Sequence, residues 1–202
     1  LPISSSGHLA LLKALFGLQE VPLLFDVLLH VATLLVVLVV FRRRFAGLVI
    51  SFTRWVGRRS DESDGDNLRM ILLLVGATGV TGVIGILLER YLAFGAPWLV
   101  SVLFIVTALI LLASRNRGGD RDFRAISWKD ALIVGAAQGF GVLPGISRAG
   151  ITIAAGLFSG LDRRHAGEFS FLLSVPAILG ALVVTLGDAA ALGAGVGPIP
   201  IV

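Results

Sequence analysis

Leu143-Pro144-Gly145-Ile146-Ser147-Arg148-Ala149-Gly150 sets one arginine inside a run that is otherwise nearly all apolar from Ala131 to Leu161. A guanidinium at membrane depth costs at least about 2.5 kcal/mol unless something compensates it, so Arg148 requires an anionic partner. Pro144 and Gly145 end any helix before Ser147, a good N-cap residue, and Arg148 to Phe158 reads as a short helix closed by Gly160. A hydroxyl, free backbone N–H groups and a fixed cation then meet at one helix start, which is the physical recipe for a phosphate site.

Working outward, the arrangement recurs at the beginning of the chain. Leu1-Pro2-Ile3-Ser4-Ser5-Ser6-Gly7-His8 again gives Leu-Pro, serines and glycine, followed by an apolar half-length helix from His8 to Phe16 ended by Gly17. Downstream, Phe25-Asp26-Val27-Leu28-Leu29-His30-Val31 lies over Phe169-Ser170-Phe171-Leu172-Leu173-Ser174-Val175, and a small insertion aligns both blocks. The pattern is an internal duplication, with repeat 1 over about residues 1–88 and repeat 2 over about residues 131–202 of a single membrane domain.

The 202 residues are 56% hydrophobic and 15% charged, with mean hydropathy +0.93, far from the balance of a soluble domain. The chain is therefore expected to be an integral membrane protein. Cysteine is absent, which excludes thiol catalysis and cysteine-based metal sites. A net charge of +4 arises from arginines in short loops between apolar runs, so membrane topology explains it, and no basic stripe interleaved with aromatics points to nucleic acid. Starting at Leu1 without methionine and stopping after a Gly/Pro-rich tail, the sequence reads as part of a longer protein with no cleavable signal peptide.

Spans are expected at Pro22–Phe41, Leu68–Leu88, Pro97–Ala113 and Glu168–Leu186, each near the roughly 20 apolar residues that a bilayer needs. Phe45–Val56 reads as interfacial, and Asp61, Glu62, Asp64 and Asp66 as a solvated face. Gly76, Gly79, Gly82 and Gly85 line one helical face that another helix, in the monomer or in a homodimer, approaches closely. Leu1–Leu18 and Ala131–Gly160 are too broken to span and read as re-entrant hairpins. Arginines crowd Arg42–Arg69 and Arg115–Lys129, whereas Glu89–Pro97 holds Arg90 alone, so the two rich loops are expected in the cytoplasm of a plasma-membrane protein. Three spans between the hairpins reverse their direction. The fold class is thus an all-α membrane protein with an inverted-topology repeat, two re-entrant hairpins and about four spans.

Ser5 and His8, three apart at a helix start, share a face. With Ser147 and Arg148 opposite, the site holds a candidate nucleophile, a base and an anion clamp, which suits phosphoryl transfer. Ser4, Ser6, Gly145 and Thr152 join as candidate substrate contacts; Gln138 flanks the motif, and His30 has Ser174 as its repeat counterpart. Lys13 and Asp26 sit near the outer interface. No metal-ligand cluster is readable in the sequence.

These motifs, in order and spacing over nearly the whole chain, resemble the undecaprenyl-pyrophosphate phosphatase family of bacitracin-resistance proteins. The resemblance implies a membrane enzyme that removes the terminal phosphate of a C55 polyprenyl pyrophosphate, recycling the lipid carrier of cell-wall sugars. It implies that Ser5 and His8 match the family's essential serine and histidine, and Ser147 and Arg148 its second phosphate-binding motif. Mg²⁺ or Ca²⁺ is implied too, on glutamates that the family carries just before the Leu-Pro, ahead of Leu1. Ala149 stands where a serine is common in the family, and members continue past the position matching Val202. Either Ser5 attacks phosphorus with His8 as base, or His8 attacks and Ser5 positions the phosphate. A polyprenyl-phosphate transporter on the same inverted repeat is the alternative function.

Overall fold

A computed structural model of the chain describes residues 4–17, 23–91 and 96–195. The motif residues Leu1, Pro2 and Ile3, the side chain of Asp26 and the Gly/Pro-rich tail lie outside this description. Among the described residues the fold is eight α-helices: α1 (Ser5–Phe16), α2 (Leu23–Val40), α3 (Arg42–Val56), α4 (Gly65–Tyr91), α5 (Pro97–Ser114), α6 (Trp128–Phe140), α7 (Arg148–Phe158) and α8 (Arg163–Gly195). Short 3₁₀ turns at Glu62–Asp64 and Phe123–Ala125 lead into α4 and α6, and no strand accompanies them among the described residues.

Glu62–Leu88, Pro97–Ser114 and Arg163–Val184 are long and apolar enough to cross a membrane. The expected span at Pro22–Phe41 falls on α2, whose stretch Leu28–Val40 is a shorter apolar helix. Outward-facing Val36, Val39, Leu72, Val75, Ile86, Leu109, Leu112 and Val183 are exposed, an apolar surface that lipid but not water would cover. α1, α6 and α7, with 12, 13 and 11 residues, are each too short to span. The break that Pro144 and Gly145 predict separates α6 from α7.

The main core joins α4, α6, α7 and α8 through Met70, Leu73, Ala77, Val134, Leu157, Phe169, Leu172 and Leu173. α4 and α6 are pressed together by glycines of α6: a Cβ on Gly135 would lie 2.5 Å from the Ala77 carbonyl oxygen, and one on Gly139 2.6 Å from Ile84 Cβ. The small-residue face was expected on α4, yet there only Gly76 is tightly covered, by Trp128, while Gly79 and Gly82 face open space. A spacing of three precesses around a helix of 3.6 residues per turn, whereas Gly135 and Gly139, four apart, stay on one face. A second cluster packs Leu34 and Val37 of α2 against Val175 and Ile178 of α8.

The acidic loop also differs from a uniformly solvated face. Asp64 is buried and accepts a 2.6 Å hydrogen bond from Ser51 Oγ, which in turn accepts from Asn67 Nδ2, so this carboxylate docks α3 onto α4. Arg121 similarly clamps the α5–α6 connection, donating to Asp130, Ala125 O and Ser159 O at 2.6 Å each.

Candidate active site

Two helix starts are built the same way and brought together. Ser4 caps α1 by accepting from Gly7 N at 3.2 Å, and Ser147 caps α7 by accepting from Gly150 N at 3.2 Å. The duplicated Ser-x-x-Gly spacing is therefore a pair of N-caps, in which Ser5 and Arg148 occupy equivalent first positions. Ser4 Oγ accepts a second hydrogen bond, 3.2 Å from Gly145 N, which ties the first helix to the turn before α7. Gly145 adopts φ 101°, a conformation that favours glycine, and a Cβ there would lie 2.5 Å from Val100 O. Gly7 meets that turn so closely that its own Cβ would lie 2.8 Å from Gly145 Cα.

Thr107 of α5 completes the joint, donating to Gly145 O at 2.9 Å and accepting from Ser147 N at 3.2 Å. Sequence reading passed over this residue; the available signal was a lone hydroxyl between Ser101 and Ser114 in an otherwise apolar span.

Beside the joint lies a cavity of about 530 Å³, lined on its polar side by Ser4, Ser5, Ser6, His30, Thr33, Gln138, Ser147, Arg148, Thr152, Ser170 and Ser174. Val37, Ile146, Ile153, Phe171 and Ile178 form its apolar walls. His30 and Ser174, paired by the sequence echo, both face it. Arg148 has no hydrogen-bond or ion-pair partner among the described residues. Its cation adds to the positive ends of two helix dipoles, so the cavity favours an anion on three counts.

Thr152 Oγ1 lies 2.8 Å from Arg148 O and beside Ser170 Oγ, a hydroxyl pair under the arginine. Gln138 is 2% exposed and its Nε2 donates to Leu173 O at 3.2 Å, which fixes the amide orientation because a carbonyl only accepts. Its Oε1 is left buried without a partner, an acceptor without a donor in the wall of the cavity.

Of the residues singled out from sequence, Ser4, Ser5, Ser6, Ser147, Arg148 and Thr152 are brought together here. Gly145 is spent on the joint. His8 does not line the cavity: its Nδ1 bonds Ser4 O at 2.7 Å, and its ring stands edge-on to Phe104 of α5 with centroids 5.0 Å apart. Because a carbonyl only accepts, Nδ1 is the donor in that bond. Among the described residues no group of three His, Cys, Asp or Glu could hold a metal ion; the glutamates on which the resemblance places Mg²⁺ or Ca²⁺ are expected ahead of Leu1.

The fold defines an integral membrane protein, with a polar-lined cavity beside two converging helix starts. The chain belongs to the family of the bacitracin resistance protein BacA, whose profile matches residues 1–198. It is 49% identical over 202 residues to an undecaprenyl-diphosphatase of Treponema denticola, covering 100% of this chain and 75% of the relative. Undecaprenyl-diphosphatases of Desulfosudis oleivorans and Carboxydothermus hydrogenoformans are 44% and 43% identical, over 93% and 92% of this chain and 72% and 67% of theirs.

Proposed function

We infer that the protein is a membrane phosphatase that hydrolyses undecaprenyl diphosphate to the monophosphate and inorganic phosphate. The observation that carries this reading is Arg148, a guanidinium without a partner among the described residues, at a helix start beside hydroxyls that face the same cavity. Family membership and the names of the relatives favour hydrolysis over carriage of polyprenyl phosphate.

The proposed chemistry uses the chain's own groups. The diphosphate enters with its isoprenoid tail in the bilayer, and its oxygens meet Arg148 and the first amides of α7, with Ser6, Ser147 and Thr152 around them. Ser5 Oγ attacks the terminal phosphorus, and the bond from phosphorus to the bridging oxygen breaks as undecaprenyl phosphate leaves. His8 Nε2 takes the hydroxyl proton, for which its ring must turn toward the cavity. Water then attacks the phosphoserine, the bond from phosphorus to the serine oxygen breaks, His8 returns its proton to that oxygen, and phosphate leaves carrying the water's oxygen and hydrogens. The orphaned Gln138 Oε1 accepts from that water or from a protonated phosphate oxygen. Mg²⁺ or Ca²⁺, if held by the carboxylates that the resemblance places ahead of Leu1, would supply neutralisation of the diphosphate charge.

Phosphate release from a C55 diphosphate by the full-length protein in detergent tests the activity. Trapping with substrate labelled in its terminal phosphate separates the two nucleophiles: acid-stable label on Ser5 supports this route, whereas acid-labile label on His8 reverses the roles. We further propose that Ala131–Gly160 and the α1 segment are re-entrant, that the membrane is the plasma membrane, and that the Arg-rich loops are cytoplasmic. Because the chain lacks cysteine, single cysteines at Ser60 and Ala96 should label from opposite sides. In a homodimer a second copy would sit on the open face at Gly79 and Gly82.

A further inference from the structure

A second cavity, of about 740 Å³, opens where α2 turns into α3 and meets the start of α8. Its basic lining comes from two places far apart in sequence: Arg42, Arg43 and Arg44 from the first turn of α3, and Arg164 from the first turn of α8. The one carboxylate in the lining, Glu168, is engaged by Arg44 at 3.2 Å, and Arg44 also stacks on the Phe123 ring with its guanidinium carbon 4.0 Å from the centroid. Arg42 spends one N–H on Val39 O. Arg43 and Arg164 are exposed and have no hydrogen-bond or ion-pair partner among the described residues.

Arginines placed only to orient the chain need do no more than sit in a loop. Here they converge on one concave space, and among the described residues only Arg44 meets a carboxylate, which leaves the charges of Arg42, Arg43 and Arg164 uncompensated. The first turn of α3 carries no acidic residue and no side-chain cap, so three cations crowd the positive end of that helix, the arrangement that a helix dipole disfavours unless an anion sits there. The floor is apolar: Phe41 and Phe171 pack at 5.7 Å between centroids, and the exposed Val36, Val39 and Val40 run down α2 from the rim. A basic pocket between membrane helices, with an apolar stripe below it, has the chemistry of a lipid phosphate site. Phe171 also walls the cavity that holds Arg148, so the two spaces back onto one side chain.

We propose that this groove is a second phosphate site, separate from the Arg148 cavity, that takes a phosphate-bearing anion: the headgroup of an anionic phospholipid or free inorganic phosphate. The proposal stands on binding and does not depend on turnover.

The test uses full-length protein as wild type, as Arg43→Gln/Arg164→Gln, as Arg43→Lys/Arg164→Lys and as Arg148→Gln. In the lipid arm, nanodiscs of phosphatidylcholine with graded phosphatidylglycerol are exchanged and the retained lipid is counted by native mass spectrometry. In the ion arm, binding of radiolabelled inorganic phosphate is measured in detergent. The glutamine pair is expected to lose preference for phosphatidylglycerol over phosphatidylcholine by roughly 25-fold, about fivefold for each arginine. The lysine pair and Arg148→Gln should keep that preference. Loss confined to the ion arm assigns the groove to free phosphate. Equal binding by wild type and the glutamine pair in both arms overturns the proposal, and the lysine pair guards against reading a folding defect as lost binding. Phosphate release from the C55 diphosphate, assayed on the same preparations, reports the phosphatase reading separately.

Discussion

Replacing Ser4 by alanine removes one oxygen that serves two helices. Its Oγ accepts from Gly7 N, capping α1, and from Gly145 N, holding the turn before α7. Loss of an N-cap costs about 1 kcal/mol. The Gly145 N–H is then left buried without an acceptor, which costs about 1–3 kcal/mol more. The sum is about 2–4 kcal/mol, and at roughly 2–4 °C per kcal/mol for a chain of this size the melting temperature should fall by about 4–16 °C. Ser4→Thr, which keeps the oxygen, should lose far less. Ser5→Ala removes an exposed hydroxyl at the cavity and should leave the melting temperature within about 2 °C while abolishing turnover. Thermal unfolding of the detergent-purified protein, followed beside phosphate release, reads all three variants. If Ser4→Ala melted like wild type yet lost turnover, the reasoning would be refuted, and Ser4 would be a phosphate contact and not a joint.

Other consequences can be checked with the same preparations. Arg148→Ala should lower kcat/KM by about 10²–10³, the usual loss when one donor to a developing negative charge is removed, and Arg148→Lys should recover only part of it because a lysine lacks the planar fork. Gln138→Glu keeps the side-chain shape but adds negative charge where a phosphate must sit; KM should rise at least about tenfold at neutral pH, and an unchanged KM would place the phosphate elsewhere. Asp130 sits outside the spanning segments; burial would raise its carboxyl, but hydrogen bonds from Arg121 and Ser127 outweigh this and hold it below the usual carboxylate range. Its contribution to stability is therefore present above the ordinary aspartate range and lost as pH falls through the lowered folded value. Melting temperatures from pH 7 to pH 3 should show this acid-side loss in wild type, and a flatter profile in Asp130→Asn, which should itself be about 1.5–3 kcal/mol less stable at neutral pH.

What could be read from sequence was what depends on local chemistry. Pro144 and Gly145 cannot continue a helix, so the break and the cap at Ser147 followed from the residue types alone. Features that depend on contacts between distant segments were not readable. Nothing near Ser4 announces that Gly145 is its partner, and nothing near Thr107 announces the turn it holds. The orphaned Oε1 of Gln138 exists only because Leu173 O claims the other end of the amide. His8 illustrates a subtler limit: a spacing of three puts it on the face of Ser5, but its Nδ1 bonds back to Ser4 O and its ring turns to Phe104. The glycines of α4 and the aspartate at position 64 show the same limit, since neither spacing nor charge reveals which face a neighbour covers.

The bond between Ser4 and Gly145 closes a loop of 141 residues. A ribosome adds roughly 5–20 residues per second, so α1 leaves it about 7–28 s before the turn that anchors it has been made. Helix α1 must therefore wait at the membrane while α2, α4 and α5 are inserted, and it docks only when α6 and the turn before α7 arrive. Assembly of the cavity is thus a late event of biogenesis, because α8 must still bring Ser170 and Ser174 to its wall, and until α7 arrives the nascent protein holds Ser5 and Arg148 apart.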